Sequence, residues 1–413
     1  MKLSDSETIF HTDVLLSQYE HPATSWSRKT FRGIRATTTL VLFSLIAVCC
    51  LIPGPASATD TVPIPELQTW KSDLQQFGQL QCGYFQAGKD YSTYYDAARE
   101  FYQAADYFGD PNYNGTPWVT CADIAVKSYR ENEIDWSGQY GWIAGWNSFS
   151  RGLRMHYQRT GDQRSKEAVH LLATHGWAAD GGPTWGYPYM REVAYAIMNH
   201  LDDEALGTQH RARLDELVNT ALQHFDQMFV SKVGLSKPYR DAGNELVGIT
   251  PFMVGLEAQA LIQYYEKYHD ARILPMVKTA ADVLYEGVTP LGLRIWDPQK
   301  GGFLYDTIWG GGRTYEPGLN LLIAPLYAWV YTMTGETKYR DRGDEIFRQG
   351  VHRMHCASVG GGTCLPGEDN GSYLWLGKQF NQSYMWTFQY ISWRQVGGDK
   401  TLAPSAPKNL RIQ

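Results

Sequence analysis

The segment Leu319–Met333 constrains the fold more than any other part of the sequence. Leu319, Leu322, Ile323, Leu326, Trp329, Val330 and Met333 cover every side of a helix and leave no polar stripe. A helix that is apolar all round must be buried all round. Gly335 ends it, as a residue free to take positive φ does. The next stretch, Tyr339–Val351, is amphipathic, with Tyr339, Ile346, Phe347 and Gly350 on one side and Arg340, Asp341, Arg342 and Glu345 on the other. A buried helix, a tight turn and a half-buried helix make an inner–outer hairpin.

Diverged copies of this hairpin recur along the chain. The buried members are Tyr91–Phe108, Trp142–Tyr157, Pro188–Leu201, Pro251–Tyr268, Leu319–Met333 and Gln379–Trp393. Their amphipathic partners are Asp123–Asn132, Ser165–Thr174, Gln209–Val230, Arg272–Glu286 and Tyr339–Val351, and Pro65–Leu80 at the start serves the last buried helix. Turns after buried helices are short. Thr160-Gly161-Asp162 and Thr334-Gly335-Glu336 use the same device, a glycine C-cap and an acid near the next N-terminus, where the helix dipole favours it. The return connections, Glu131–Gly141, His175–Tyr187, Ser231–Thr250, Gly287–Glu316 and Met354–Lys378, are long. Loops of that length are usually functional, and all lead into the N-termini of buried helices, on one face.

An open solenoid needs a regular period and capping repeats. The spacing here is uneven, and six fully buried helices want a closed ring. The expected fold is therefore all-α, an (α/α)6 toroid of six inner–outer hairpins over residues 65–395. Pro325 should break the fifth inner helix near Ile323, because proline removes an internal hydrogen bond. Residues 59–64 read as a linker and 396–413 as a disordered tail.

Residues 1–58 read as an export signal. Arg28, Lys29, Arg32 and Arg35 precede the apolar run Leu40–Ile52, and Ala56-Ser57-Ala58 has a signal-peptidase pattern. An uncleaved signal anchor is the alternative. Cleavage leaves 355 residues with a net charge of −7. That charge argues against nucleic acid or a stable membrane surface as partner. The expected location is secreted or periplasmic. In that setting the four remaining cysteines read as the disulfides Cys356–Cys364 and Cys82–Cys121.

No cofactor motif is present: there is no P-loop, no Gly-x-Ser-x-Gly elbow and no His-Glu-x-x-His. No metal is expected either. His352, His355, Cys356 and Cys364 read better as part of a disulfide region. The run Asp110–Gly115 resembles the opening of a calcium loop, but Cys121 stands where a bidentate Glu is required.

The long-loop face collects carboxylates beside aromatic residues. Asp135 adjoins Trp136, Trp185 and Tyr187 precede Glu192, Asp241 follows Arg240, and Glu316 follows Tyr315. Glycoside hydrolysis needs two carboxyl groups across a sugar ring, one protonated and one ionised, with flat apolar walls. For each acid taken singly, capping a helix or pairing with Arg191, Arg240 or Arg313 is the plainer role. Glu257 stands apart, inside an apolar helix, where it needs either a wet ring interior or a buried partner.

The six hairpins, with the turns Tyr157-Gln-Arg-Thr-Gly-Asp162 and Tyr331-Thr-Met-Thr-Gly-Glu336, resemble the six-hairpin glycosidase-like superfamily over nearly all of residues 65–395. That resemblance implies a carbohydrate substrate held in a cleft at one end of the ring. It covers glycoside hydrolases, polysaccharide lyases and sugar epimerases, and transfers no catalytic residue by position. The expectation is a glycoside hydrolase with Glu192 as base and Asp241 as acid, and Asp135, Glu245 and Glu316 behind them. Trp136, Trp142, Trp185, Tyr187, Arg191, Arg240, Trp309 and Arg313 are the expected substrate contacts. Two alternatives stand beside it: a lyase or epimerase on a uronic-acid polymer, and a glycan binder without catalysis.

Overall fold

The structure, a computed structural model, describes residues 62–88, 95–110, 117–135, 143–175, 177, 189–231, 239–240, 246–289, 292–307, 314–359, 374 and 377–395. All of them belong to the unit Ala56–Gln413. The expected signal (1–58), part of the linker and the tail (396–413) lie outside the described residues.

The described chain is all-α apart from two two-stranded ribbons. Its helices are α1 (Leu67–Gln86), α2 (Ala97–Phe108), α3 (Trp118–Tyr129), α4 (Arg151–Thr160), α5 (Gln163–Thr174), α6 (Met190–Glu204), α7 (Arg211–Phe225), α8 (Pro251–Tyr268), α9 (Ile273–Glu286), α10 (Asn320–Thr334), α11 (Thr337–Val359), α12 (Gly377–Tyr384) and α13 (Thr387–Gln395). Ribbon β1 (Tyr239–Arg240) with β2 (Leu246–Val247) precedes α8, and β3 (Trp296–Asp297) with β4 (Gly302–Phe303) precedes α10.

Consecutive helices pair as α2–α3, α4–α5, α6–α7, α8–α9 and α10–α11. The first member of each pair also packs on the first member of the next, and α12 and α13 pack on α10. The succession then returns to its start, because α12 touches α2 and α1, and α1 touches α3 and α11. Side chains close this seam. Trp70 Nε1 donates to Thr387 Oγ1 at 2.8 Å, and Asp73 takes His355 Nδ1 at 2.6 Å and the Tyr384 hydroxyl at 2.9 Å. The Cys82–Cys121 disulfide ties α1 to α3. Closing a loop of 39 residues restricts the unfolded chain by about 4 kcal/mol in the chain-entropy treatment.

The short turns repeat in atomic detail. Gly161 and Gly335 are left-handed, with φ of 75° and 70°, and their amides donate to Tyr157 O and Tyr331 O at 2.8 Å each. In both, the threonine hydroxyl returns to the helix and accepts the amide of the following acid at 3.2 Å. A third copy was hidden by its sequence. His269 takes the left-handed place at φ 54°, its amide bonds Tyr265 O, and Asp270 follows. The acids do more than meet a dipole. Asp162 pairs with Arg130 just after α3, and Glu336 with Lys278 on α9, so each turn is tied to the preceding hairpin.

Three local expectations are corrected. The second inner helix begins at Arg151 rather than Trp142, after a 3-10 turn at Gly145–Asn147. There the Tyr129 hydroxyl donates to Asn147 O and accepts from Phe149 N, taking backbone groups a helix would need. The last inner helix is two short ones, α12 and α13, joined at Met385–Trp386. Pro325, by contrast, does not break α10, which runs unbroken from Asn320 to Thr334. Dense neighbours hold it in line. A Cβ on Gly255 of α8 would lie 2.5 Å from the Leu322 carbonyl oxygen, so the two helices approach there as only glycine permits.

Candidate functional site

The N-terminus of α6 carries the best-placed carboxylate. Glu192 is its third residue and is 7 % exposed. Its Oε1 accepts from Arg191 Nε at 3.0 Å and Nη2 at 2.6 Å. Its Oε2 is buried and has no hydrogen-bond partner among the described residues. The Gly145 turn lies directly over it: a Cβ there would sit 2.9 Å from Glu192 Cγ and 3.1 Å from Trp177. The Trp177 ring in turn meets Tyr189, with centroids 4.8 Å apart. A carboxylate with one oxygen paired, the other waiting for a proton or a donor, and aromatic faces beside it can act as base, nucleophile or anchor for a sugar hydroxyl.

A second cation lies within electrostatic reach of Arg191. The Lys378 ammonium has its pKa lowered, first by the protein packed around it and then by the charge of Arg191. Arg191 is the second residue of α6 and Lys378 the second of α12, so the starts of these two helices are near enough for their charges to act on each other.

Deeper in, α2, α4 and α6 enclose charged groups that the sequence reading did not single out. Asp96 accepts the amides of Arg99 at 3.0 Å and Gly152 at 2.8 Å, bridging the starts of α2 and α4. Burial pushes its pKa up to about 6, against those hydrogen bonds. Glu100 is fully buried, and neither oxygen has a hydrogen-bond partner among the described residues. Burial raises its pKa well above the ordinary glutamate value, against the pull of Arg99. The Arg99 guanidinium lies 4.0 Å over the Trp386 ring, and burial pulls its pKa down to about 9. Asp202 accepts from Ser150 Oγ and Arg151 Nε at 2.7 Å each and pairs with Arg154 at 3.0 Å. Burial alone would raise it, but Arg151, Arg154 and Ser150 outweigh that and hold it below the usual range. The cavity at this centre is about 20 Å³, room for a water and far too small for a sugar ring.

No protein-family model matches this chain, no curated protein matches it, and no solved structure matches its fold. The site has to be read from its own atoms.

Of the expected catalytic acids, Glu192 is buried in the first turn of α6. Glu316 is half-buried just before α10, its amide bonded to Phe303 O of β4. Asp135 is exposed and paired with Arg164 Nη2 at 3.0 Å, beside the Thr160–Asp162 turn, so a surface ion pair accounts for it. Asp241, Glu245, Trp136, Trp142, Trp185, Tyr187, Trp309 and Arg313 lie outside the described residues, and Arg240 is described only by its β1 backbone. Near the starts of α8 and α10, Tyr305 is 45 % exposed and packs at a tilt against Phe252, ring centroids 5.5 Å apart, beside buried Asp306.

The remaining expectations resolve individually. Cys356 is disulfide-bonded, which removes its thiolate from any metal set; its expected partner Cys364 lies outside the described residues. Asp110 Oδ1 accepts the Trp118 amide at 2.6 Å, so the calcium-like acid caps α3. Glu257 is fully buried and accepts from His224 Nδ1 of α7 at 2.8 Å. It has a buried partner, a histidine rather than an arginine, and burial raises its pKa to about 6 despite that contact.

Proposed function

We propose that the chain is an exported carbohydrate-active enzyme built as an (α/α)6 toroid. The closing contacts of α12 and α1 and the nearness of the α6 and α12 starts support the ring. The reading we favour is glycoside hydrolysis at the loop-bearing rim, with Glu192 in the reaction and Asp241 as its partner acid. One observation carries it: Glu192 is buried beside Trp177 with one oxygen committed to Arg191 and the other without a partner among the described residues. Evolution tolerates an unsatisfied buried carboxylate oxygen where a ligand completes it. The Cys82–Cys121 disulfide supports an oxidising compartment, and no described helix is long and apolar enough to cross a membrane.

The second reading is a lyase or epimerase on a uronic-acid polymer. Arg191 and Lys378 favour it, because two neighbouring cations suit an anionic sugar. A screen of neutral against uronic polymers, following both reducing ends and absorbance of an unsaturated product, separates the two. With the substrate known, Glu192→Gln and Asp241→Asn are each expected to lower kcat at least ~10²-fold. Near-wild-type turnover by both folded variants would remove these residues from the chemistry. A glycan binder without catalysis would bind a polymer in the screen and turn none over.

A further inference from the structure

The opposite, short-turn side holds a second arrangement of chemistry-bearing groups. His170 of α5, Asp203 near the end of α6 and His210 just before α7 point their donor atoms at one another, all within 4.8 Å. Asp203 Oδ2 meets His170 Nδ1 at 2.8 Å and His210 Nε2 at 2.6 Å. We propose that these three residues bind one divalent cation of the zinc class. Two imidazoles and a carboxylate are a zinc donor set, and a tetrahedral ion at ~2.0–2.1 Å from each ligand needs ligand spacings of about 3.3 Å. Each imidazole therefore has to back away from Asp203 by about half an ångström, within reach of a side-chain rotation.

The surroundings fit a metal better than a plain ionic clamp. Thr208 Oγ1 donates to Asp203 Oδ1 at 3.0 Å, so that Oδ2 is the oxygen turned to both imidazoles. A hydrogen bond of this kind to a ligating carboxylate is what orients it for an ion. The Asp203 side chain is 1 % exposed while that of His170 is 52 % exposed, so the ion would be held from inside and reached by water from outside. That leaves the fourth position for water or a solvent-borne ligand. On binding, each nitrogen now facing Asp203 gives its lone pair to the metal, with its proton moved to the other ring nitrogen or released. The ion would join three successive helices, which no pairwise ion bridge does.

The test uses tag-free protein stripped with a chelator and titrated calorimetrically with Zn²⁺. One ion per chain is expected. Thr208→Val should weaken it at least ~10-fold, and His170→Ala and His210→Ala further still. His170→Ala is the decisive variant, because its exposed ring can be removed without unfolding the protein, as circular dichroism would verify. Absence of stoichiometric zinc binding in the wild type, or unchanged binding in folded His170→Ala, overturns the proposal and leaves a hydrogen-bonded clamp.

Discussion

The buried helices divide into two unlike halves. Around α2, α4 and α6 the interior is charged: Asp96, Arg99, Glu100, Arg154 and Asp202 are all buried. Around α8 and α10 it is mainly apolar, with Leu256, Leu261, Leu322, Ile323, Leu326 and Val330 at 0–1 % exposure and Glu257, paired with His224, as the charged exception. The apolar half is held by close approach, as at Gly255 and Leu322. The charged half is held by groups that are individually costly to bury and tolerable only together. One half is organised by shape and the other by complementary charge.

The largest test of that contrast removes the hub of the charged half. Asp202→Ala strands Arg151 and Arg154 in the interior and should cost about 3–5 kcal/mol in denaturant unfolding. A cost below about 1 kcal/mol would mean that water already solvates these arginines. In the apolar half, Gly255→Ala should cost about 1–3 kcal/mol by overpacking, because the new methyl meets a backbone carbonyl that cannot swing away. A neutral result there would show that α8 and α10 slide easily.

The smallest expected effect is a pH dependence. Glu257 and Asp96 each have a folded pKa of about 6, raised above their ordinary values. Between those ordinary values and 6, the folded state binds more protons than the unfolded state. Stability should therefore fall as pH rises through that window, and level off above it. Asp202 acts in the opposite sense: its contribution is present above the ordinary aspartate pKa and is lost as pH falls through its depressed folded value. Between pH 5 and pH 7, Glu257→Gln should remove roughly 1 kcal/mol of the first dependence. Unfolding curves at pH 5 and pH 7 for both proteins measure it, and a slope identical in the two would refute the assignment.

The same contrast decides what could be read from the sequence. Segments α8 and α10 announced themselves, because a helix apolar on every side has only one place to go. Segment α4 was expected among the buried helices as part of Trp142–Tyr157, and Gly152–His156 are buried, but its arginines give no local sign of how they are accommodated. Its partners, Asp202 and Gln263, lie in other helices, so no local window contains the reason. Glu192 was legible from its distance to Pro188 and the start of a helix. Arg99 and Glu100 were not, since nothing near them in sequence marks the interior they face. The third hairpin turn escaped because His269 stands where a glycine is expected. His170, Asp203 and His210 share no motif spacing and meet only once three helices are packed.

The seam at α1 bears on how such a molecule can be made. Its first helix finds partners near both ends of the chain: Trp70 bonds Thr387, 317 residues away, while Cys82 is joined to Cys121 only 39 residues on. Contacts that bridge the whole length form last, because loop closure must come first. A chain emerging amino end first would hold α1 for most of its synthesis with half of its surface unmatched. The early cystine keeps that helix at its post beside α3 until the carboxyl-terminal helices arrive. On this view the bond matters less to the finished protein than to the interval before it is finished, when an unguarded apolar edge invites aggregation.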